Sequence, residues 1–268
     1  DIADWDVFLV DNMRAMFRRA ESFNRDIGEW NVIGVRDMSF MFEDTSFDRD
    51  IGSWNVSYVE NMRRMFANNP DFNQDIGEWR VSNVTNMRLM FRLAYSFNQD
   101  IGGWDVSNVT DMGSMFSDAS AFNQDISEWE TSSLRVVYAG PPFGGMFKGA
   151  ESFNQDISEW DVSSVESTSA MFAGASSFNQ DIGAWDVSNV ADMRSMFSRA
   201  TAFDQDLGDW DVGAVIERSS FGDTMESIFD ETNLSATNYD RTLIGWAGRD
   251  LNADLTLGAN GVEYCNSS

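Results

Sequence analysis

The sequence contains no histidine at all, which removes the commonest general base and the commonest transition-metal ligand. It has a single cysteine, Cys265, so an internal disulfide and a Cys-based zinc site are both excluded, and a free thiol is expected. No run approaches the roughly 18 apolar residues that a membrane-spanning helix needs. Lysine occurs once, at Lys148, and every other basic residue is arginine. Basic charge of any kind is scarce: 44 acidic residues stand against 18 basic ones, a net charge of -26. Nucleic acid and anionic membrane surfaces are therefore disfavoured as partners, and cationic ones are favoured. An acidic surface so poor in lysine is also compatible with a saline environment.

What is present is periodic. Trp5, Trp30, Trp54, Trp79, Trp104, Trp129, Trp160, Trp185 and Trp210 each sit in a copy of one unit, most of them 25 residues apart. Self-similarity at that period marks a solenoid, in which each unit depends on its neighbours to bury its apolar face. The chain opens at Asp1, already inside a repeat, and is expected to be a piece of something longer. With 21 Phe, 15 Met and 10 Trp, each coil has the rings to hold it without disulfide or metal.

Within one copy, Ile101, Trp104 and Val106 follow I-x-x-W-x-V, the pattern of a leucine-rich-repeat strand. Period two turns Trp104 and Val106 inward and leaves Gly103, Asp105 and Ser107 outside. Met112, Met115, Phe116 and Ala119 then recur at i, i+3, i+4, i+7, which predicts a short amphipathic helix or helical turn. Ser107 or Thr110 is placed to cap it. The fold expected is a leucine-rich-repeat-like solenoid over residues 1–229, about nine coils, each a short strand plus a short helical segment.

Two stretches depart from the rhythm. Trp129 and Trp160 are separated by six residues too many. The surplus falls near 135–145, where Pro141-Pro142 and Gly140, Gly144 and Gly145 must bulge as a loop carrying Tyr138 and Phe143. Residues 230–268 are not a repeat and are expected to cap the array. There Ser235 reads as an N-cap, Leu234 and Tyr239 as a hydrophobic staple, and Tyr239, Leu243 and Trp246 as one helical face. A terminal hairpin is expected to turn near Asn260-Gly261.

The unit FNQDIGxWDVSNVTNMxxMFxxA resembles the surface-protein repeat of mycoplasma lipoproteins and of environmental and marine bacteria, a variant of the BspA-like leucine-rich repeats. The segment LSxxNYDxxLIGWA with Tyr264-Cys265 is similar to the closing segment of such arrays. The resemblance implies an exported or cell-surface protein and an adhesion or interaction module, and it implies no catalytic chemistry. Arg25 and Arg49, standing where the unit has Gln, depart from it.

Three surfaces are candidates for function. The first is the outward row beside the tryptophans, with Glu78, Glu128 and Glu159 before them and Arg80, Asp105, Glu130, Asp161 and Asp186 after them. This acidic row, helped by Tyr138 and Phe143, is the expected ligand surface for a protein or glycan. A solvated face kept for solubility is the alternative. The second is the aspartate four before each tryptophan, in column with an asparagine two residues earlier, as in Asn98 with Asp100 and Asn123 with Asp125. Such pairs either accept backbone N–H groups in an Asx-type ladder or bind Ca²⁺ through hard oxygen ligands. No other cofactor is expected, and acids spread evenly over the coils offer no singular pair for catalysis. The third is an excess of arginine in the first third, including Arg14, Arg18, Arg63, Arg64, Arg88 and Arg92. It suits scattered salt bridges or contact with an acidic part of another copy. The function expected is therefore a non-enzymatic, extracellular or cell-surface binding module. A stalk, coat or filament component assembling through its ends is the second reading.

Overall fold

The computed structural model describes residues 2–138, 140, 144–216, 218–219, 222–249 and 256–262. The apolar positions of the repeat turn inward and stack on their counterparts. Phe116 and Phe122 lie face to face at 3.9 Å. Each also stacks on the next coil, Phe91 on Phe116 at 5.8 Å and Phe97 on Phe122 at 6.0 Å. Two phenylalanine columns result, and Trp104 leans against the first at 6.4 Å and 30°. Ile101, Val106, Val109, Met112, Met115 and Ala119 fill the remaining space and are buried. Offset stacks of this kind add to the burial that holds neighbouring coils together.

The backbone that carries these side chains is neither the expected strand nor the expected helix. In the Met–Phe segment, Met115 N–H donates to the Met112 carbonyl, Ser117 to Ser114 and Ala119 to Phe116, each three residues back. Ser114 and Asp118 have φ of 56° and 60°, values a right-handed helix does not admit. Left-handed residues at the third position of a turn recur at the equivalent places, for example Leu89, Leu93, Ser195 and Arg199. Alternate N–H groups leave the coil: those of Met87, Leu89, Phe91 and Leu93 donate to the carbonyls of Asp111, Gly113, Met115 and Ser117. The segment is thus a chain of tight turns bonded sideways to its neighbour. Parallel bridges such as Asn61 to Asn86 and Asn86 to Asp111 precede it.

Ile101 to Val109 is likewise two turns, closed by Trp104 N–H to Ile101 and Val109 N–H to Val106. Among the described residues, strands occur only as β1 (Arg218–Ser219) and β2 (Gly222–Asp223), which pair antiparallel. The expected strand-plus-helix coil is therefore replaced by a coil of turns. Six-residue surplus and all, the sixth coil keeps register. Asp111 bridges Val136, Phe147 stacks on Phe116 at 5.7 Å, and the bulge between is closed by a Tyr138 to Gly145 antiparallel bridge.

After the repeats comes α1 (Ala236–Ala247), with Ser235 at its N-cap accepting from Asn238 N–H at 3.3 Å. Tyr239 and Trp246 face the core as expected. Leu243 is only half-buried, and Thr242 is buried in its stead, its hydroxyl accepting from Leu207 N–H at 3.0 Å. Trp246 stacks on Phe229 at 6.1 Å and its indole donates to the Leu207 carbonyl. It stands where a repeat tryptophan would. Of the expected terminal hairpin, the turn at Asn260-Gly261 is described; Glu231 N–H donates to the Asn260 carbonyl, carrying the sideways ladder one step further. Tyr264 and Cys265 lie outside the described residues.

Candidate functional site

The tryptophan edge is built from the same few bonds in every coil. Asp100 Oδ1 accepts the N–H of Gly102 at 3.0 Å, which folds the turn. A Cβ at Gly102 would sit 2.5 Å from the Asp125 carbonyl of the next coil, so a side chain there needs the backbone to shift, as it must in the coils that carry Ser127 and Ser158 at this place. The Ile101 carbonyl accepts both Trp104 N–H and, at 3.1 Å, the indole N–H of Trp129 in the next coil. That indole bond recurs from Trp30 to Trp210. It holds each ring in the wall and turns the residues on either side of it out to solvent.

Those residues are the expected acids. Glu78, Arg80, Asp105, Glu128, Glu130, Glu159, Asp161 and Asp186 are all exposed along this edge. The structure brings Glu128, Glu130, Glu159 and Asp161 together around a recess of about 410 Å³, with Trp129 and Asp156 in its lining. A second recess of about 640 Å³ follows, lined by Asp156, Asp181, Asp206 and Asp209 around Trp185 and Ala184. Ala184 stands where four other coils carry Glu29, Glu78, Glu128 and Glu159, and its short side chain leaves that space open. Asp186 is on the Trp185 coil. Glu78, Arg80 and Asp105 belong to the same row on earlier coils.

Four of the edge aspartates have their carboxyl pKa lowered. The Ser163 hydroxyl, at 2.6 Å, and then the Ser163 N–H, at 2.9 Å, hold the Asp161 carboxyl below its usual range. Asp186 is lowered in the same way by the hydroxyl and N–H of Ser188. Asp125 and Asp156 are lowered by the backbone N–H, then the side chain, of Ser127 and Ser158. Hydrogen bonds to the charged form produce this direction at exposed sites.

One expected member, Tyr138, does not join the edge. Tyr138 is half-buried at the base of the bulge, its phenol raised by burial and in the field of Arg194 and Asp192. It lies beside the Met–Phe segment. Phe143 lies outside the described residues. Asp156, Asp181 and Asp206 line the recesses although sequence reasoning placed them only in the ladder; the signal was their fixed place four before each tryptophan, where the turn carries them to the same edge.

The asparagine column is a ladder between coils. Asn98 Oδ1 accepts the N–H of Asn123 and the side-chain amide of Gln124, each at 2.9 Å. Asn123 serves Asn154 and Gln155 identically. Asp48, itself bonded to Asn24 before it, and Asp204 at the far end do the same. Asn98 and Asn123 therefore have their oxygens engaged by two donors, whereas Asp100 and Asp125 serve their own turns. The pairs do not converge on a shared shell, and no group of three or more acidic, His or Cys side chains among the described residues is arranged to hold a metal ion.

The sequence model of one family, described as Mycoplasma protein of unknown function, DUF285, matches residues 1–82, 45–139 and 142–240. The chain belongs to the DUF285 family. Three matches along one DUF285 chain, the first two overlapping, are the mark of a tandem repeat, in agreement with the stacked coils. Among curated proteins, none matches it. No helix among the described residues is long and apolar enough to cross a membrane.

Proposed function

We propose that this chain is a non-enzymatic interaction module, a leucine-rich-repeat-like solenoid of the BspA-like surface type, exposed outside the cell and binding a cationic partner on a protein or glycan. The observation that carries this reading is the pair of acid-lined recesses on the tryptophan edge. Their carboxylates are exposed, and those of Asp156 and Asp161 are held in place by turns and lowered from the usual range by serine and backbone donors. A row of fixed charges one coil apart suits a repeating or extended partner, because each coil adds a contact of the same kind. Arginine- or lysine-bearing segments of a protein and amino sugars of a glycan have that chemistry.

The test is equilibrium binding of the full chain to an arginine-rich peptide and to an amino-sugar oligosaccharide. Saturable binding that weakens with salt, and that falls about tenfold or more in Glu128→Lys/Glu159→Lys, is expected. Binding left intact by that variant would remove the tryptophan edge from the reading.

A second reading, assembly with further coils, is favoured by one feature. The outer side of the first described coil exposes Trp5 (53%), Phe8 (53%) and Leu9 (91%). A coil of the same kind, from a longer chain or from another copy, fits such a surface. Sedimentation over a range of concentrations separates the two readings, and a strict monomer at all of them counts against self-assembly.

A further inference from the structure

On the Met–Phe side of the first three coils, four arginines converge on one ring. Phe40 occupies the left-handed position of its coil, with φ 62°, where other coils carry Ala15, Arg64, Leu89 or Ser114. It is outside the core cluster, yet only 8% exposed. Its cover is cationic: the guanidinium carbons of Arg14, Arg18, Arg63 and Arg64 lie 4.6, 5.2, 5.5 and 5.8 Å from the ring centre. A ring face attracts such groups and holds their planes in place.

Glu43 bonds Arg18 at 2.5 Å and Arg64 at 2.8 Å. Arg14 donates to the Ser39 hydroxyl at 3.0 Å. Arg63 has its Nε buried without a hydrogen-bond acceptor among the described residues. Burial, and after it the charges of Arg64 and Arg88, push the Arg63 guanidinium below its ordinary value, against the opposing charge of Asp111. Arg14 and Arg63 hold the same repeat position on either side of the second coil, whose residue there is the small Ser39, and the stacked phenylalanine rings of these coils are 5.6 to 5.8 Å apart. The pair thus flanks Ser39, which is buried and whose hydroxyl accepts from Arg14.

We propose that Arg14 and Arg63, braced by the Phe40 ring, form a binding site for a tetrahedral oxyanion, a sulfate or phosphate group. Guanidinium forks bind such oxygens in pairs and with directional bonds that a lysine ammonium does not match. The net charge of -26 opposes a long polyanion, but acids beyond about 8 Å are largely screened at physiological ionic strength. A compact dianion meets the local excess of arginine. This site lies on a different side of the coil from the tryptophan edge and stands independently of the binding reading above.

The test is thermal unfolding of the full chain in low-millimolar sodium sulfate or phosphate against sodium chloride at equal ionic strength. Retention on sulfated against neutral dextran is measured alongside. A saturable rise in Tm beyond chloride is expected from the free ions, or selective retention from the polymer-borne ester. Either should weaken about tenfold or more in Arg14→Gln/Arg63→Gln and less in Phe40→Ala. Alanine already occupies the Phe40 position at Ala15 and Ala170, so that variant is expected to fold, and the Tm of each variant in chloride verifies this. Arg36→Gln, which loses only an exposed pair with Glu60, should respond as the parent does. The same response in the double variant, or no response to sulfate, phosphate or sulfated dextran in the parent, would overturn the site.

Discussion

At the scale of single residues, the coil depends on backbone conformations that most side chains avoid. Leu93 has φ 60° and donates its N–H to Ser117 of the next coil, while the sixth and seventh coils use Gly149 and Gly174, with φ 68° and 73°, at the equivalent place. The left-handed region costs a branched side chain most. Leu93→Val is therefore expected to lower stability by about 1 to 3 kcal/mol, and Leu93→Gly to stay within about 1 kcal/mol of the parent. Calorimetric Tm ranks them, and a valine variant as stable as the glycine one would contradict the turn geometry. None of this was legible from the pattern: leucine and serine at these positions look like helix residues, and nothing about them announces a positive φ.

At the scale of the element, the unit is the coil, and what joins coils is a set of ladders. Asn98 illustrates why its role was only half readable. The sequence places it in a column with a backbone-bonding role, but its donors belong to the next coil and not to its own turn. Asn98→Ala would leave the Asn123 N–H and the Gln124 amide without this acceptor, a loss of about 1 to 3 kcal/mol. Asn98→Asp is expected to be close to neutral, because Asp48 and Asp204 accept the same two bonds elsewhere. With those oxygens engaged, EDTA and Ca²⁺ are expected to leave the melting midpoint unmoved; a clear rise with Ca²⁺ would restore the metal reading. The Met–Phe spacing misled for a similar reason. The positions i, i+3, i+4, i+7 put side chains on one side of a helix, but tight turns three residues long do so as well. Only the destination of the N–H groups, the neighbouring coil, distinguishes them. The period, the buried tryptophans and the N-cap at Ser235 depended on side-chain type alone and were readable without the structure.

At the scale of the whole molecule, charge is sorted by side: carboxylates along the tryptophan edge, arginines over the first Met–Phe segments. Asp161 and Asp186 have folded-state pKa values below their unfolded ones. The unfolded chain therefore takes up protons first as pH falls, and the stability these groups contribute is present above about pH 4 and lost below it. Ser163→Ala/Ser188→Ala removes hydroxyl donors from Asp161 and Asp186, so its deficit in Tm relative to the parent should be visible at neutral pH and vanish in strong acid. A deficit that persists in strong acid would mean that the serines act through packing and not through the carboxylates. The acidic row itself was legible from residues flanking each tryptophan. Its recesses were not, because Ala184 opens one of them by an absence and Asp156 reaches both only once the coils are stacked.

On the proposed reading, the tryptophan edge is where this molecule meets a cationic partner. Carboxyl footprinting of the full chain with and without a saturating arginine-rich peptide tests it most directly. Protection concentrated at Glu128, Glu130, Asp156, Glu159 and Asp161, with Glu21, Glu60 and Glu226 still labelled, is the predicted result. Protection spread evenly over the acids, or absent from the recess between Trp129 and Trp160, would contradict it.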